Sequence, residues 1–530
     1  MKILFISFLI TTNIFCQNHF SKGVNLTNWF QVENSVQIDF TKFTKDDFKY
    51  LKSIGCDVVR IPINFQAMTD KNNNYNVDNY LLFLVDNVCD WAEELNLNII
   101  IDNHPFRKDI TNENYAEILT PIWKQLSKHF KDRSNLIYYE ILNEPHGIDN
   151  SMWNKIQTNV VREIRKIDNA HTIIIGAAEF YSYDLLNSLE LLNDENIIYT
   201  FHFYDPFLFT HQGSGWVNPS MDKIKNIPFP YSKSNLPNLD LSYMNTWIQS
   251  IYNRYNIEGS VVHIKNLLNK ISQFGKSKNV KLFCGEFGVL NYSVNNSDRN
   301  FWYKIVSESL TNADIAWTVW DFNGDFGMFD HYQKINKNLF KSLSFSPNEY
   351  KIVISNVNKI KIFSDFTEKG IKPIRSSDAK NLLFSKTITA EGKYSIQWEN
   401  PERYSNLSFD FFPNLDLDDF VNKAALVFLI KFTNDSKIDI RLIDSKNNNR
   451  NDYSWRRRFT ITSNDLNKWQ KIRIPLKQFE ENGAIENGKW LMPENKFDWK
   501  DIDKLEFVAE HESLFGKTIY LDDIQILLND

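Results

Sequence analysis

The chain is short of the features that would place it in several common classes. It has 4 cysteines in 530 residues. Cys16 falls in the leader-like start "MKILFISFLITTNIFCQN", so Cys56, Cys89 and Cys284 remain for the mature protein. Three thiols make no disulfide framework, and no Cys-x-x-Cys or Cys/His cluster offers zinc a donor set. No apolar run beyond the N-terminus is long enough to span a bilayer. The net charge is −6 with acids and bases interspersed, so no basic stripe awaits nucleic acid. No Gly-x-Gly-x-x-Gly follows the first strand-like run, which argues against a dinucleotide fold. The two halves share no repeat.

What is present points to a large two-part protein. Hydrophobic residues make up 42% and aromatics 15%, enough to build packed interiors. The length exceeds one ordinary core, so two domains are expected. Lys2 is a minimal basic region, Ile3 to Ile10 an apolar one, and Thr11 to Cys16 can hold a cleavage site. Residues 1–16 therefore read as a signal peptide cut after Cys16, and the protein as secreted or periplasmic. The rival is a lipid anchor on Cys16, disfavoured by Phe15 where such signals usually carry a small residue.

The first part alternates apolar runs with amphipathic stretches. The runs are "GVNL", "DVVRIPI", "NIIIDNH", "LIYYEILNE", "TIIIGAAE", "NIIYTFHFY", "VKLFCGEFG" and "DIAWTVWDF". Continuous β-branched runs read as strands buried on both faces. Between them lie helical patterns such as "TKDDFKYLKSIG", with an N-cap at Thr44 and a stop at Gly55. Eight such alternations predict a closed (β/α)₈ barrel over 17–345. Almost eighty residues separate "TFHFY" from "LFCGEFG", and they are expected to form a long loop holding Trp216 and Phe229, with helix resuming near Val261. Residues 346–352 read as a linker. From 353 to 530 the pattern turns to short alternating strands separated by Asn, Asp, Gly and Lys turns, the signature of an all-β jelly-roll sandwich.

A barrel presents its chemistry at the C-terminal ends of its strands. Those ends carry Asn25, Arg60, His104, Asn143, Glu144, Glu179, His202, Tyr204, Glu286 and Trp320. Taken singly, each has a plain reading. An acid at a strand end is more often solvated or capping, a histidine is as often a satisfied core group, and Glu179 has no partner motif. One geometric rule nevertheless selects the whole set. Glu144 and Glu286 form a pair across the barrel mouth, and hydrolysis of a sugar acetal needs one neutral carboxyl and one ionised one.

In ordered motifs the chain resembles glycoside hydrolase family 5, the cellulase-containing family of retaining (β/α)₈ glycosidases. The resemblance runs from about Gly23 to Asp330. It rests on Arg60 ending the second strand, Asp102-Asn103-His104 the third and Asn143-Glu144-Pro145 the fourth. "HFY" at His202 to Tyr204, "GEFG" at Gly285 to Gly288 and "WD" at Trp320 complete the series. It implies that Glu144 is the acid/base and Glu286 the nucleophile. Arg60 and Tyr204 would hydrogen-bond Glu286, and Asn143 would bind the sugar 2-hydroxyl. His104 and His202 would line the cleavage subsite over Trp320 as its floor. It implies no cofactor for catalysis and a β-glucan or related polysaccharide as partner, with β-1,4-glucan expected and mannan, xyloglucan or β-1,3/mixed-linkage glucan as alternatives. A monomer is expected.

The second part resembles jelly-roll carbohydrate-binding modules, nearest to family 11, from "IFSDFTE" to "KTIYLDDIQIL". Tyr453, Trp455 and Arg456-Arg457-Arg458 are its candidate glycan contacts, or else a solvated turn and edge strand. Asp365, Asp522 and Asp523 could hold a structural calcium, an ion that takes oxygen ligands. Two rival functions fit the residues less well. A metal-dependent hydrolase would need a His-x-His at an early strand end, where Asn25 stands instead. A non-catalytic glycan-binding protein would have lost one of Glu144, Glu286, Arg60 or Tyr204, and all are present.

Overall fold

The computed structural model describes residues 20–105, 115–329, 335–346, 348, 358–377, 382–444, 453–486 and 489–529. The leader, Cys16 and most of the expected linker lie outside them. The described chain divides into two compact units. One takes Lys45–Tyr350 together with the stretch up to Gln31, and the other takes Val32–Thr44 and Lys351–Asp530.

The first unit is built on eight parallel strands: β1 Lys22–Asn25, β2 Val58–Ile63, β3 Asn98–Asn103, β4 Ile137–Glu140, β5 Thr172–Gly176, β6 Ile197–Phe203, β7 Lys281–Phe287 and β8 Ala316–Val319. They close in the order β1-β8-β7-β6-β5-β4-β3-β2. Every residue of β2 to β8 is buried. That explains the unbroken apolar runs, since both faces of a barrel strand meet protein. A single layer collects Val58, Ile100, Tyr138, Ile174, Ile198, Phe283 and Ala316, one from each of β2 to β8, around Phe20. Phe20 precedes β1 and meets Tyr138 and Phe283 edge-on at 5.0 and 5.3 Å. This apolar plug fills the N-terminal end of the barrel, so the polar residues gather at the other.

Among the described residues the α-helices of six or more residues are α1 Lys45–Ile54, α2 Asn79–Glu94, α3 Tyr115–Phe130, α4 Asn150–Arg165, α5 Trp247–Glu258, α6 Val261–Lys278, α7 Asn296–Asn312 and α8 Lys337–Ser342. Gly55 at φ +101 ends α1. The Asp149 carboxylate caps α4 by accepting from Ser151 N and Met152 N. α6 begins where expected, but the long segment before it also holds α5. That helix buries only Ile248 and Tyr255, so its amphipathic signal is weak.

The second unit is a sandwich of two antiparallel sheets. Its strands are β9 Lys359–Phe363, β10 Arg375–Ser376, β11 Leu382–Ser385, β12 Ser395–Glu399, β13 Asn406–Leu415, β14 Ala425–Phe432, β15 Lys437–Asp444, β16 Trp455–Thr462, β17 Gln470–Pro475, β18 Glu480–Glu486, β19 Lys489–Leu491, β20 Ile502–Val508 and β21 Thr518–Leu527. One sheet runs β11-β12-β21-β14-β17, with β9 also on β21, and the other β10-β13-β20-β15-β16-β18-β19. Alternate residues such as Ile438, Ile440 and Leu442 of β15 enter the shared core. Val36 packs against that core and Phe40 meets Phe366 at 4.8 Å. Val32–Thr44, in the stretch between β1 and α1, is therefore part of the sandwich unit.

Candidate active site

The site is organised around Arg60, which is buried within β2 rather than at its end. Its Nε and Nη2 donate to the two oxygens of Glu140 at 2.7 and 2.9 Å. Nη1 donates to Asn25 Oδ1 at 2.9 Å and to Glu286 Oε1 at 2.8 Å. Nη2 also reaches Asn143 Oδ1 at 2.8 Å and Asp102 Oδ2 at 2.9 Å. A buried guanidinium is tolerable only when its donors are taken up, and here all three nitrogens are engaged. One cation faces three buried carboxylates. Burial pushes Asp102 up to about 7 against the pull of Arg60, and raises Glu140 in the same way.

Asn143 is oriented from two sides. Its Oδ1 accepts from Arg60, so its Nδ2 faces His104 Nε2 at 3.2 Å. An amide nitrogen only donates, which makes Nε2 the acceptor and leaves Nδ1–H to donate to Asp102 Oδ2 at 2.8 Å. Burial lowers His104 to about 4, so the ring is neutral near pH 7. Its face lies against Trp320 at 5.7 Å and 13°.

The two glutamates are held separately. Glu286, in β7, accepts from Arg60 on Oε1 and from Tyr204 Oη on Oε2 at 2.9 Å. Glu144 stands at φ +45, a left-handed backbone that few residues other than glycine adopt, and such strain gathers at functional sites. Its Oε1 contacts His202 Nδ1 at 2.7 Å, and the same nitrogen lies 3.5 Å from Glu286 Oε2. Burial lowers His202 to about 4. Ligand atoms of Glu144, His202 and Glu286 all lie within 4.8 Å of one another. That proximity is consistent with the spacing of a retaining pair, about 5–5.5 Å between carboxyls.

The structure thus gathers Asn25, Arg60, His104, Asn143, Glu144, His202, Tyr204, Glu286 and Trp320 at one end of the barrel. Glu179 is exposed and outside the network. Of the long loop's aromatics, Trp216 is exposed, while Phe229 is buried against Phe209 and Phe301 and presents no ring to a cleft. Two residues of the network went unselected in the sequence reading. Asp102 enters only as part of a motif, and Glu140, the last residue of β4, is followed in sequence by Ile141 and Leu142, so its single cue is an acid inside an apolar run.

In the sandwich, Trp455 is fully buried in the core, which overturns its reading as a glycan contact: no sugar reaches its ring. Tyr453 packs edge-on to it at 6.3 Å. β16, which holds Arg456 to Arg458, lies between β15 and β18 and is an interior strand rather than an edge. The exposed aromatics there include Tyr404, Phe412, Trp490 and Phe515. Asp365 Oδ1 accepts from the amides of Lys393 and Tyr394, and Asp522 Oδ2 from those of Ala390 and Glu391. One oxygen of each of these two carboxylates is therefore already hydrogen-bonded to backbone amides.

A (β/α)₈ barrel with two close carboxylates at its C-terminal mouth defines a glycoside hydrolase of the retaining kind. Residues 18–326 match the cellulase model, glycosyl hydrolase family 5, and the chain belongs to that family. Residues 337–527 match carbohydrate binding domain 30, so the second unit's module family is 30 and not 11. The chain is 29% identical over 355 residues to Endoglucanase 3 of Fibrobacter succinogenes, covering 61% of this chain and 52% of that protein. It is 28% identical over 331 residues to Endoglucanase C of Acetivibrio thermocellus, covering 59% and 95%. It therefore spans about half of the first relative and nearly all of the second. Among solved structures, Thermotoga maritima Cel5A in complex with cellobiose is 27% identical with a TM-score of 0.53, covering 61% of this chain and 97% of that one. The same enzyme has been solved with mannotriose, at 26% identity and a TM-score of 0.52, covering 61% and 97%. Enzymes of this family need no cofactor for catalysis.

Proposed function

We propose that this chain is an endo-β-1,4-glucanase working by double displacement. The observation that carries the reading is the separate fixing of two neighbouring carboxylates, Glu286 by Arg60 and Tyr204, and Glu144 by His202. Glu286 attacks the anomeric carbon while Glu144 gives its proton to the leaving oxygen. Glu144, now ionised, then takes a proton from the water that releases the sugar from Glu286. Asn143, oriented by Arg60 and His104, offers its amide to the sugar 2-hydroxyl. Trp320, braced by His104, forms the floor under that sugar, whose C–H face a flat indole buries without competing for hydroxyls.

The reading is tested with purified polysaccharides and Glu144→Ala. Activity on β-1,4-glucan should exceed that on mannan, xyloglucan and β-1,3-glucan, with mid-length products early in the reaction. Mannan is the second reading, supported by the mannotriose complex of Thermotoga maritima Cel5A. In Glu144→Ala, azide should restore turnover and yield a β-glycosyl azide, because the nucleophile still forms its intermediate. An α-azide, or no rescue, would count against the assignment.

The same reading makes the protein a secreted monomer whose sandwich holds the barrel near its polysaccharide. Among the described residues no helix is long and apolar enough to cross a membrane. A calcium at Asp365, Asp522 and Asp523 would show as a chelator-induced drop in Tm.

A further inference from the structure

β6 turns Ile198, Thr200 and His202 to the barrel interior, since alternate residues of a strand share a face. Ile198 lies in the apolar layer and His202 at the mouth, with Thr200 between them. Thr200 is fully buried. Its Oγ1 has no hydrogen-bond partner among the described residues, and neither has His202 Nε2. These two orphans face one place. β6 pairs Phe201 with Cys284 and His202 with Glu286 of β7, so Gly285 is left over between them. A Cβ on Gly285 would lie 3.0 Å from Thr200 Oγ1 and 3.1 Å from His202 Nε2. The two atoms are thus near enough for one hydrogen bond or one bridging water. A buried polar atom left unpaired is costly, so two facing orphans are expected to satisfy one another.

We infer that Thr200 is a positioning residue that sets the tautomer of His202: its hydroxyl donates to Nε2, directly or through one water, and keeps the ring proton on Nδ1. The role rests on Glu144 acting as the acid. Burial lowers His202 to about 4, so near pH 7 the ring is neutral and only one nitrogen carries a proton. Nδ1 lies 2.7 Å from Glu144 Oε1 and 3.5 Å from Glu286 Oε2. A lone pair there would face two acceptor oxygens once both glutamates are ionised. An N–H there serves both steps of the reaction. While Glu144 holds its proton on Oε2, the N–H meets the bare Oε1. After that proton has gone to the leaving oxygen, the same N–H meets the carboxylate, and no group needs to turn. The bare Nε2 then needs a donor, which the Thr200 hydroxyl supplies. His104 has the same arrangement, with the Asn143 amide donating to its Nε2 at 3.2 Å.

Thr200→Val keeps the branched shape and removes the donor, while Thr200→Ser keeps the hydroxyl. An N–H aimed at Glu144 favours its ionised form, so losing it raises the pKa of Glu144 and weakens the acid. In Thr200→Val, kcat/KM on cellotetraose should fall about ten-fold, and its basic limb should move up by about one pH unit. Thr200→Ser should match wild type in both. The titratable and charged groups around the pair are Arg60, Asp102, His104, Glu140 and Glu286, with the phenols of Tyr181 and Tyr204, and neither substitution removes any of them. A rate loss with an unmoved basic limb would mark a packing role and overturn the inference, as would wild-type kinetics in Thr200→Val. In the wild-type enzyme labelled with 15N-histidine, the imidazole spectrum should place the proton of His202 on Nδ1. A proton on Nε2 would overturn the inference even if Thr200→Val does not fold. Azide rescue of Glu144→Ala is run beside these measurements. Its failure counts against the acid assignment, whereas the place of the ring proton is read directly in the unaltered enzyme.

Discussion

At the scale of single residues, Glu140 is the member of the site whose importance is visible only in three dimensions. It takes both the Nε and Nη2 of Arg60, and that pair sets the direction in which Nη1 meets Glu286. Glu140→Gln replaces an acceptor oxygen with a donor facing a buried guanidinium. Breaking one partner of such a pair costs about 3 kcal/mol of stability, and a misplaced nucleophile costs about 100-fold in kcat. Urea unfolding and steady-state kinetics with KM resolved would check both, and wild-type values in both would remove Glu140 from this role. Three histidines contribute to the pH response. Burial lowers His104 and His202 to about 4 and His211 to about 3, against about 6.5 in the unfolded chain. The unfolded state then binds more protons between those values, so this stability is complete above about pH 6.5 and is lost as pH falls towards 4. The slope is about 1.4 kcal/mol per pH unit for each histidine fully in its window. Asp102, raised to about 7, acts in the opposite sense over the same range, so the histidine contribution is read as a difference: between pH 7 and pH 5 the urea midpoint of His211→Phe, whose ring can keep the stacking on Phe207, should fall less, or rise more, than that of the wild type.

At the scale of elements, β6 and β7 are aligned so that His202 stands beside Gly285. A Cβ on Gly285 would come within 3.0 Å of Thr200 Oγ1 and 3.1 Å of His202 Nε2. The neighbour that must give way is the ring that holds Glu144. Gly285→Ala is therefore expected to fold, since its backbone demands no special φ, yet to lose roughly 10–100-fold in kcat through a shifted His202. Circular dichroism beside kinetics separates the two effects, and full activity would show that the ring has room to move. The same pairing explains why the strand signals were readable while the loops were not. A barrel strand is buried on both faces whatever its partner, but α5 and the left-handed turn at Glu179 to Tyr181 depend on contacts made by residues distant in the chain.

At the scale of the whole molecule, the boundary between the units does not coincide with a single point in the sequence. Val32–Thr44 belongs with the sandwich, where Val36 meets the core and Phe40 meets Phe366. Deleting 351–530 would leave that stretch without the surface it packs on, and Phe40 is 1% exposed in the full chain. The truncated barrel is expected to aggregate or to melt lower than the full protein, and Phe40→Ser in the truncated form should recover part of its solubility. Light scattering and a melting curve of the two truncated forms decide it. A truncated barrel that is monodisperse and melts like the full protein would show that the segment is dispensable.

The sequence by itself determined the succession of strands, the change of texture near residue 350 and the placing of both glutamates near strand ends. These are properties of local order: an unbroken β-branched run reports burial on both faces, and a charge at its tip reports a mouth. Only the tertiary structure decided what each group meets. Arg60 lies within its strand and not at its end, and its five carboxylate and amide partners come from four different stretches of chain. Trp455 looked like a binding residue because an aromatic beside three arginines resembles a wet surface, yet alternation sends its ring into the core. Glu140, Thr200 and the segment around Phe40 escaped notice for the same reason. Periodicity specifies which face a side chain leaves from, while the partner waiting there is set by how distant segments pack.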